Sequence, residues 1–250
     1  MYFNDVHIAY YVVVAILGLF VGEFVDWMNK RLPEYKAVFS NDLIAEYKIN
    51  FKPNYILMLV TSTIYIFLVY RFGIGTTIIS NLDLVKYMIL TPMLLSAFVI
   101  DYKLQIIPNR LTLTIFEVGL VFAFISGISS VNIFVDRLLG MVTGAGIFLL
   151  ITLIGGAIAG KEAMGFGDVK IMGALGLVFG LSNIIMISVL SFLLGAVISI
   201  VLLVTKKKGT DEYIPFGPFI IIATFIVMLV PHNIMLLVLL KIFTLGMYQV

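Results

Sequence analysis

Two aspartates stand at the ends of apolar runs, where an ionisable side chain is costly and is a functional-site candidate by default. Asp101 follows the run 85–100 and opens the stretch Asp-Tyr-Lys-Leu-Gln-Ile-Ile-Pro-Asn-Arg, while Asp168 closes Gly165-Phe166-Gly167-Asp168 ahead of another apolar run. Two carboxylates brought a few ångströms apart cannot both ionise, so they hold one proton between them and titrate as a unit. The ionised member takes a proton from water and the protonated member donates to a scissile carbonyl, the minimum equipment for hydrolysing a peptide bond without metal or covalent intermediate. The flanking residues suit that chemistry. Gly165 and Gly167 leave room for an extended backbone to approach, and Pro108 with Asn109 stops the segment after Asp101 from continuing as a regular helix. Lys103 and Lys170 each lie two residues beyond an aspartate, where they either bias its charge or are simply solvated. The competing structural reading has Asp101 facing the interface and Asp168 capping a helix N-terminus, where the dipole favours it.

The elements that must position these residues are membrane spans. The 250 residues are 62% hydrophobic and 12% charged, with mean hydropathy +1.14, against about 45–50% apolar and 25% charged in soluble domains. The chain reads as an all-α polytopic membrane protein. Windows of roughly 20 apolar residues suggest about eight spans, near 8–28, 55–79, 84–100, 111–128, 137–159, 169–181, 183–204 and 215–231, with Arg71 ending the second near Tyr70. The first run lacks a basic n-region and a small-residue cleavage site, so it reads as a retained span. Three regions follow: 1–80 with the charged loop 29–54, a helix bundle over 84–231, and an apolar tail over 232–250. A net charge of +2 without a basic aromatic stripe argues against nucleic acid as a partner. With no cysteine, and with His7 and His232 near opposite ends, no metal site is expected.

Sidedness follows from lysine and arginine. If loop 29–54 is cytoplasmic and spans alternate, the cytoplasmic segments hold Lys30, Arg31, Lys36, Lys48, Lys52, Lys103, Arg110, Lys161, Lys170 and Lys206 to Lys208, 12 of the 16 basic residues. Arg71, Lys86, Arg137 and Lys241 remain on the other side. That is the asymmetry of the positive-inside rule, and it places the N-terminus outside and both aspartates at the cytoplasmic boundary. Gly140/Gly144 and Gly176/Gly180 have small-xxx-small spacing and predict close helix packing.

Asp101 with Ile107-Pro108-Asn109-Arg110-Leu111-Thr112-Leu113, then Gly165-Phe166-Gly167-Asp168-Val169-Lys170, resembles the type IV prepilin peptidases, membrane aspartyl proteases of the Gly-x-Gly-Asp class. Ile214-Pro215-Phe216-Gly217-Pro218 and the N-terminal Gly18-to-Phe24 and Arg31-Leu32-Pro33 segments match in the same order. The resemblance implies Asp101 and Asp168 as the catalytic pair, with no cofactor for proteolysis. It implies pilin or pseudopilin precursors carrying a short basic leader as substrates, and the inner membrane of a bacterium as the setting. For the N-terminal region, methyltransferase-like in this comparison, it also implies methylation of the new N-terminal amine by S-adenosylmethionine. Many members carry two Cys-x-x-Cys zinc pairs in the first cytoplasmic loop. This chain has none, so no zinc is expected, and it reads Gly22-Glu23-Phe24-Val25-Asp26 where members usually read Gly-Ser-Phe-Leu-Asn.

Glu23 and Asp26 share a helix face. They are candidates for holding a basic leader or its ammonium in the methyltransferase-like region, or else interfacial charges, with Lys30 pairing Asp26 at i+4. Glu117, inside a span, is expected to face the bundle as a structural polar contact. A transporter using intramembrane carboxylates as a proton relay is the alternative function, although such proteins place them near the midplane between inverted repeats. A presenilin-like protease would share Gly-x-Gly-Asp but carry Pro-Ala-Leu in place of Ile214-Pro215-Phe216-Gly217-Pro218.

Overall fold

The computed structural model describes residues 2–4, 6–38, 53–77, 79–160, 164–205 and 214–244. Most of loop 29–54, Lys161, Lys206 to Lys208 and the last residues of the tail lie outside them. A short antiparallel hairpin, β1 (Tyr2–Phe3) and β2 (Val6–His7), leads into α1 (Ile8–Arg31). Then come α2 (Tyr55–Phe72), α3 (Leu82–Leu104), α4 (Asn109–Ser129) and α5 (Val131–Ala159). The described chain finishes with α6 (Phe166–Phe179), α7 (Leu181–Val204), α8 (Gly217–Leu229) and α9 (His232–Phe243). A chain this apolar has to satisfy its backbone internally, and in lipid a helix does that within one segment.

Six of these helices, α1 to α5 and α7, are long and apolar enough to cross a membrane. The other two expected spans fall on shorter helices. With 14 and 13 residues, α6 and α8 reach only about 21 and 20 Å, short of the roughly 30 Å hydrocarbon core. The window 215–231 had absorbed the non-helical flanks of α8, whereas 169–181 was already short. Two other boundaries move. Helix α2 runs on through Arg71 and stops at Gly73, whose φ of +68° no other residue type adopts cheaply. Helix α5 begins six residues before the expected 137 and so contains Asp136 and Arg137. Large apolar side chains such as Ile128 and Ile158 are 88% and 83% exposed, which is tolerable only where the solvent is lipid.

The chain divides into two compact units, Met1–Leu111 and Thr112–Val250, one helix later than the functional division read from the sequence. In the first unit, α1 and α2 pack backbone to backbone. A Cβ added at Gly18 would lie 2.5 Å from Ser62 Cα, and one at Gly22 would strike Met58. Ser62 Oγ donates to Ala15 O across the same contact at 2.9 Å. Helix α3 joins them through two polar contacts. Ser96 Oγ donates to Asn29 Oδ1 at 2.5 Å, and Tyr65 Oη donates to Met88 O at 2.8 Å. The second contact has a definite cause. Met88 O would normally accept from residue 92, but that residue is proline, inside α3, and has no N–H to give.

In the second unit, α6 is the core: every residue from Ile171 to Gly180 is buried. The expected glycine contacts form between α5 and α6. A Cβ at Gly144 would sit 2.5 Å from Met172 O, and Gly140 and Gly176 each meet the other's backbone. Helix α4 closes on the same rod at Gly119, facing Val178. The Ile214–Pro218 motif is a packing element: Phe216 stands 5.9, 5.3 and 5.9 Å, centroid to centroid, from Phe148, Phe192 and Phe219. Buried hydroxyls of Ser188, Ser191 and Thr224 donate to their own helix's carbonyls four residues back, so they cost little in an apolar interior.

Candidate active site

Asp101 and Asp168 are both buried, at 5% and 4% exposure. A fully buried aspartate is rare outside ion pairs and functional sites. Asp101 occupies the last turn of α3 in the first unit. Its carbonyl accepts the Gln105 N–H at 2.9 Å, and Gln105 then turns left-handed, with φ 57° and ψ 34°, to end the helix. The following residues stay non-helical until Pro108, itself buried, whose carbonyl accepts the Leu111 N–H at 3.0 Å in the first turn of α4.

Asp168 occupies the first turn of α6 in the second unit. Gly165 is the extended N-cap residue, φ −68° and ψ 139°, and Asp168 N–H donates to its carbonyl at 3.0 Å. Asp168 is therefore the third helical residue rather than the cap, with Gly167 just ahead of it inside the helix. One carboxyl thus lies at the negative end of a helix dipole and the other at the positive end. Lys103 and Lys170 are both exposed, and the Lys170 ammonium sits 5.1 Å from the centroid of the Phe166 ring.

The far end of α6 is fixed by Asp136, which drew no reading from the sequence, and by Arg137, counted there only as a charge on the other side. Helix α6 stops at Gly180, whose φ of +82° admits no ordinary side chain, and a Cβ there would also strike the Asp136 carboxylate. Asp136 Oδ1 accepts Leu181 N–H at 3.3 Å, and Arg137 Nη1 donates to Val178 O at 2.7 Å. Orphan groups at the end of α6 and the start of α7 are satisfied by α5. Because glycine packs directly on backbone along α5 and α6, the rod carrying Asp168 has one axial register.

Glu23 and Asp26 do come together, and the residue that joins them is Asn54. Asn54 N–H donates to Glu23 Oε2 at 3.1 Å and Asn54 Nδ2 to Asp26 Oδ1 at 2.9 Å. Asn54 Oδ1 in turn accepts from Leu57 N–H at 3.3 Å, capping α2. Lys30 pairs with Asp26 at 2.6 Å. At the other end of the loop, Trp27 Nε1 donates to Val38 O at 3.0 Å and the Arg31 guanidinium stands 4.7 Å from the centroid of the Trp27 ring. The Lys36 ammonium, hydrogen-bonded to Glu34 at 2.6 Å, holds that carboxyl below its ordinary value.

Glu117 corrects the sequence reading. It is exposed on α4 rather than turned into the bundle, because Leu111, Ile115 and Gly119 take the inward positions. Asn54, Pro92 with Tyr65, and the Asp136–Arg137 pair went unread. Pro92 four residues after Met88 announces an orphan carbonyl, but no sequence pattern names its donor. Among the described residues no group of three or more His, Asp or Glu side chains could hold a metal ion.

Comparison with known proteins bears on this geometry directly. Residues 88–200, which contain both aspartates, match the type IV leader peptidase family. A prepilin leader peptidase/N-methyltransferase of Aeromonas hydrophila is 32% identical over 142 residues, 57% of this chain and 48% of that protein. Those of Xanthomonas campestris pv. campestris and Pseudomonas aeruginosa are each 32% identical, over 68% and 57% of this chain and 56% and 48% of their own lengths. The chain spans about half the length of the curated relatives it matches. No solved structure matches it. These matches favour the peptidase over the proton-relay transporter. Residues 88–200, the segment that holds Asp101 at the end of one helix and Asp168 at the start of another, are thus the part of the chain that is similar to the type IV leader peptidase family.

Proposed function

We propose that this protein is a membrane aspartyl endopeptidase that removes the leader of type IV prepilin or pseudopilin precursors at the cytoplasmic face of a bacterial inner membrane. The observation that carries the reading is the burial of Asp101 and Asp168 at helix ends, both within the segment that matches the family. Asp168, at the positive end of α6, is assigned the carboxylate that activates water. Asp101, at the negative end of α3, is assigned the carboxyl that protonates the scissile carbonyl. Gly165, Gly167 and Pro108 shape the approach, and Lys103 and Lys170 supply solvated positive charge beside it. Shared-proton catalysis requires one proton on the pair, so the rate falls on both sides of an optimum.

The names of the relatives extend the reading to methylation of the released amine, with S-adenosylmethionine as the donor. Bound there, it would supply an activated methyl group. Glu23 and Asp26 suit the amine or the basic leader, since an ionised carboxylate offers about four lone-pair sites and Asn54 and Lys30 occupy only some of them. The experiment is mass spectrometry of a purified precursor after incubation with the protein, with and without S-adenosylmethionine. Leader loss with wild type and none with Asp101→Asn or Asp168→Asn is expected. Retained cleavage in either variant would refute the assignment. An added methyl group decides the second activity.

A further inference from the structure

The turn that follows Asp101 is bonded at its two ends and hardly between them. Gln105 N–H donates to Asp101 O and Leu111 N–H to Pro108 O, whereas Ile106 and Ile107 make no backbone hydrogen bond among the described residues. Residues 102–106 are all exposed, and a segment with so few buried contacts opens locally at low cost. A carboxyl in the helical turn just before it keeps one direction only if the turn is tied down elsewhere. Arg110, two residues beyond Pro108, makes such a tie. Its Nη1 donates to Tyr35 O at 2.9 Å, with the guanidinium 6.0 Å from the centroid of the Tyr35 ring. Both residues lie with Asp101 in the first unit.

The acceptor is itself anchored. In the segment 32–38, Leu32 is buried, Tyr35 N–H donates to Leu32 O at 3.2 Å, and Lys36 N–H donates to Arg31 O at 3.1 Å. Trp27 Nε1 holds the far end at Val38 O. Tyr35 has φ 56°, a left-handed conformation that a bulky residue keeps only where its surroundings impose it. We infer that Arg110 is a positioning residue for Asp101, acting through the turn 105–109, and that the strap 32–38 behind α1 is its anchor. The inference rests on the peptidase reading and deepens it. A strap bonded to α1 along its length gives Arg110 a fixed point that the exposed turn lacks, so the first cytoplasmic segment takes part in aiming a carboxyl some seventy residues away.

The test uses the full chain in proteoliposomes with a membrane-anchored precursor, and amide hydrogen exchange on the same samples. Arg110→Met should lower kcat per folded protein about tenfold with KM within about twofold, the signature of a misdirected group rather than weakened binding. Arg110→Lys, which keeps a charged donor without the planar fork, should recover part of the loss. Tyr35→Pro fixes φ at about −65° and so turns the carbonyl away. It should lose as much as Arg110→Met, and the double variant no more than either, because all three break one bond. In Arg110→Met the Gln105 and Leu111 amides should exchange about tenfold faster while those of α2 keep their wild-type rates. Tyr35→Gly keeps the carbonyl and suits the left-handed φ, so the same two amides should exchange as in wild type. An unchanged kcat in Arg110→Met, additive losses in the double variant, or faster exchange spread equally over α2 would overturn the inference. If wild type cleaved no precursor, the peptidase reading would fail on that result, while unaltered exchange at Gln105 and Leu111 would separately sink the tie.

Discussion

The hydrogen bond from Tyr65 Oη to Met88 O should be worth more than an ordinary contact between membrane helices. Interhelical hydrogen bonds in membranes average only about 0.6 kcal/mol, because alternative partners exist. Here the acceptor has no alternative inside its own helix, since Pro92 has replaced the N–H that would have reached it. Tyr65 is 2% exposed, so its removal leaves a carbonyl shielded from water and without a donor. Tyr65→Phe should therefore cost about 1–2 kcal/mol, in the range for an unsatisfied buried polar group. In a Pro92→Ala background the restored N–H satisfies Met88 O, and the same substitution should cost only about 0.5 kcal/mol, the ordinary interhelical value. The assay is a double-mutant cycle on unfolding of the purified protein in detergent, with wild type, both single variants and the double variant. A coupling of about 1 kcal/mol is expected, beyond the 0.3–0.5 kcal/mol scatter of additive sites. Equal costs of Tyr65→Phe in the two backgrounds would refute the claim that the tyrosine stands in for the missing proline donor.

Gly144→Ala and Gly146→Ala form a matched pair on α5. Both gain helix propensity, but a Cβ at 144 meets Met172 O and Ile184 while one at 146 meets nothing within 4 Å. Overpacking should make the first less stable than the second by about 1–3 kcal/mol, read as a lower melting temperature by roughly 2–4 °C per kcal/mol. Arg137→Met removes the donor to Val178 O and should lower kcat about tenfold by loosening the α6 register that positions Asp168. Arg137→Lys should recover part of that loss, and proportional falls in kcat and folded fraction for both variants would reduce Arg137 to a stability contact. Asn54→Ala should destabilise the protein by about 1–2 kcal/mol by uncapping α2 and releasing Asp26, while the backbone N–H at 54 still reaches Glu23, measured by thermal unfolding. The Glu34–Lys36 pair makes its contribution above the ordinary carboxylate pKa and loses it as pH falls through the depressed value. Glu34→Gln should therefore differ from wild type at neutral pH and converge with it in acid.

Much of the site was legible because apolar runs make charges conspicuous. Asp101 and Asp168 stand at span ends in a chain with only 14 acidic residues, and Pro108 and Gly165 mark where helices break by removing a donor or a Cβ. The Gly140/Gly144 and Gly176/Gly180 spacings told of close packing, since small residues four apart form a flat strip on a helix. The direction in which Glu117 faces was not legible. A span that is apolar all round carries almost no periodic signal, so the inward face is chosen by which neighbour Leu111, Ile115 and Gly119 find.

The sequence by itself determined the membrane-spanning helical class, the helix breaks after Asp101 and before Asp168, and the two acids at those breaks, because these depend on hydropathy, missing N–H groups and missing side chains that each residue carries locally. Only the tertiary structure decided that Tyr65 answers for Pro92, that Asn54 bridges Glu23 and Asp26, that Asp136 and Arg137 hold the far end of α6, and that Glu117 looks outward. Each of those is a pairing across tens of residues. In an apolar interior, which donor reaches which acceptor follows from helix crossing and register, and local composition leaves these open.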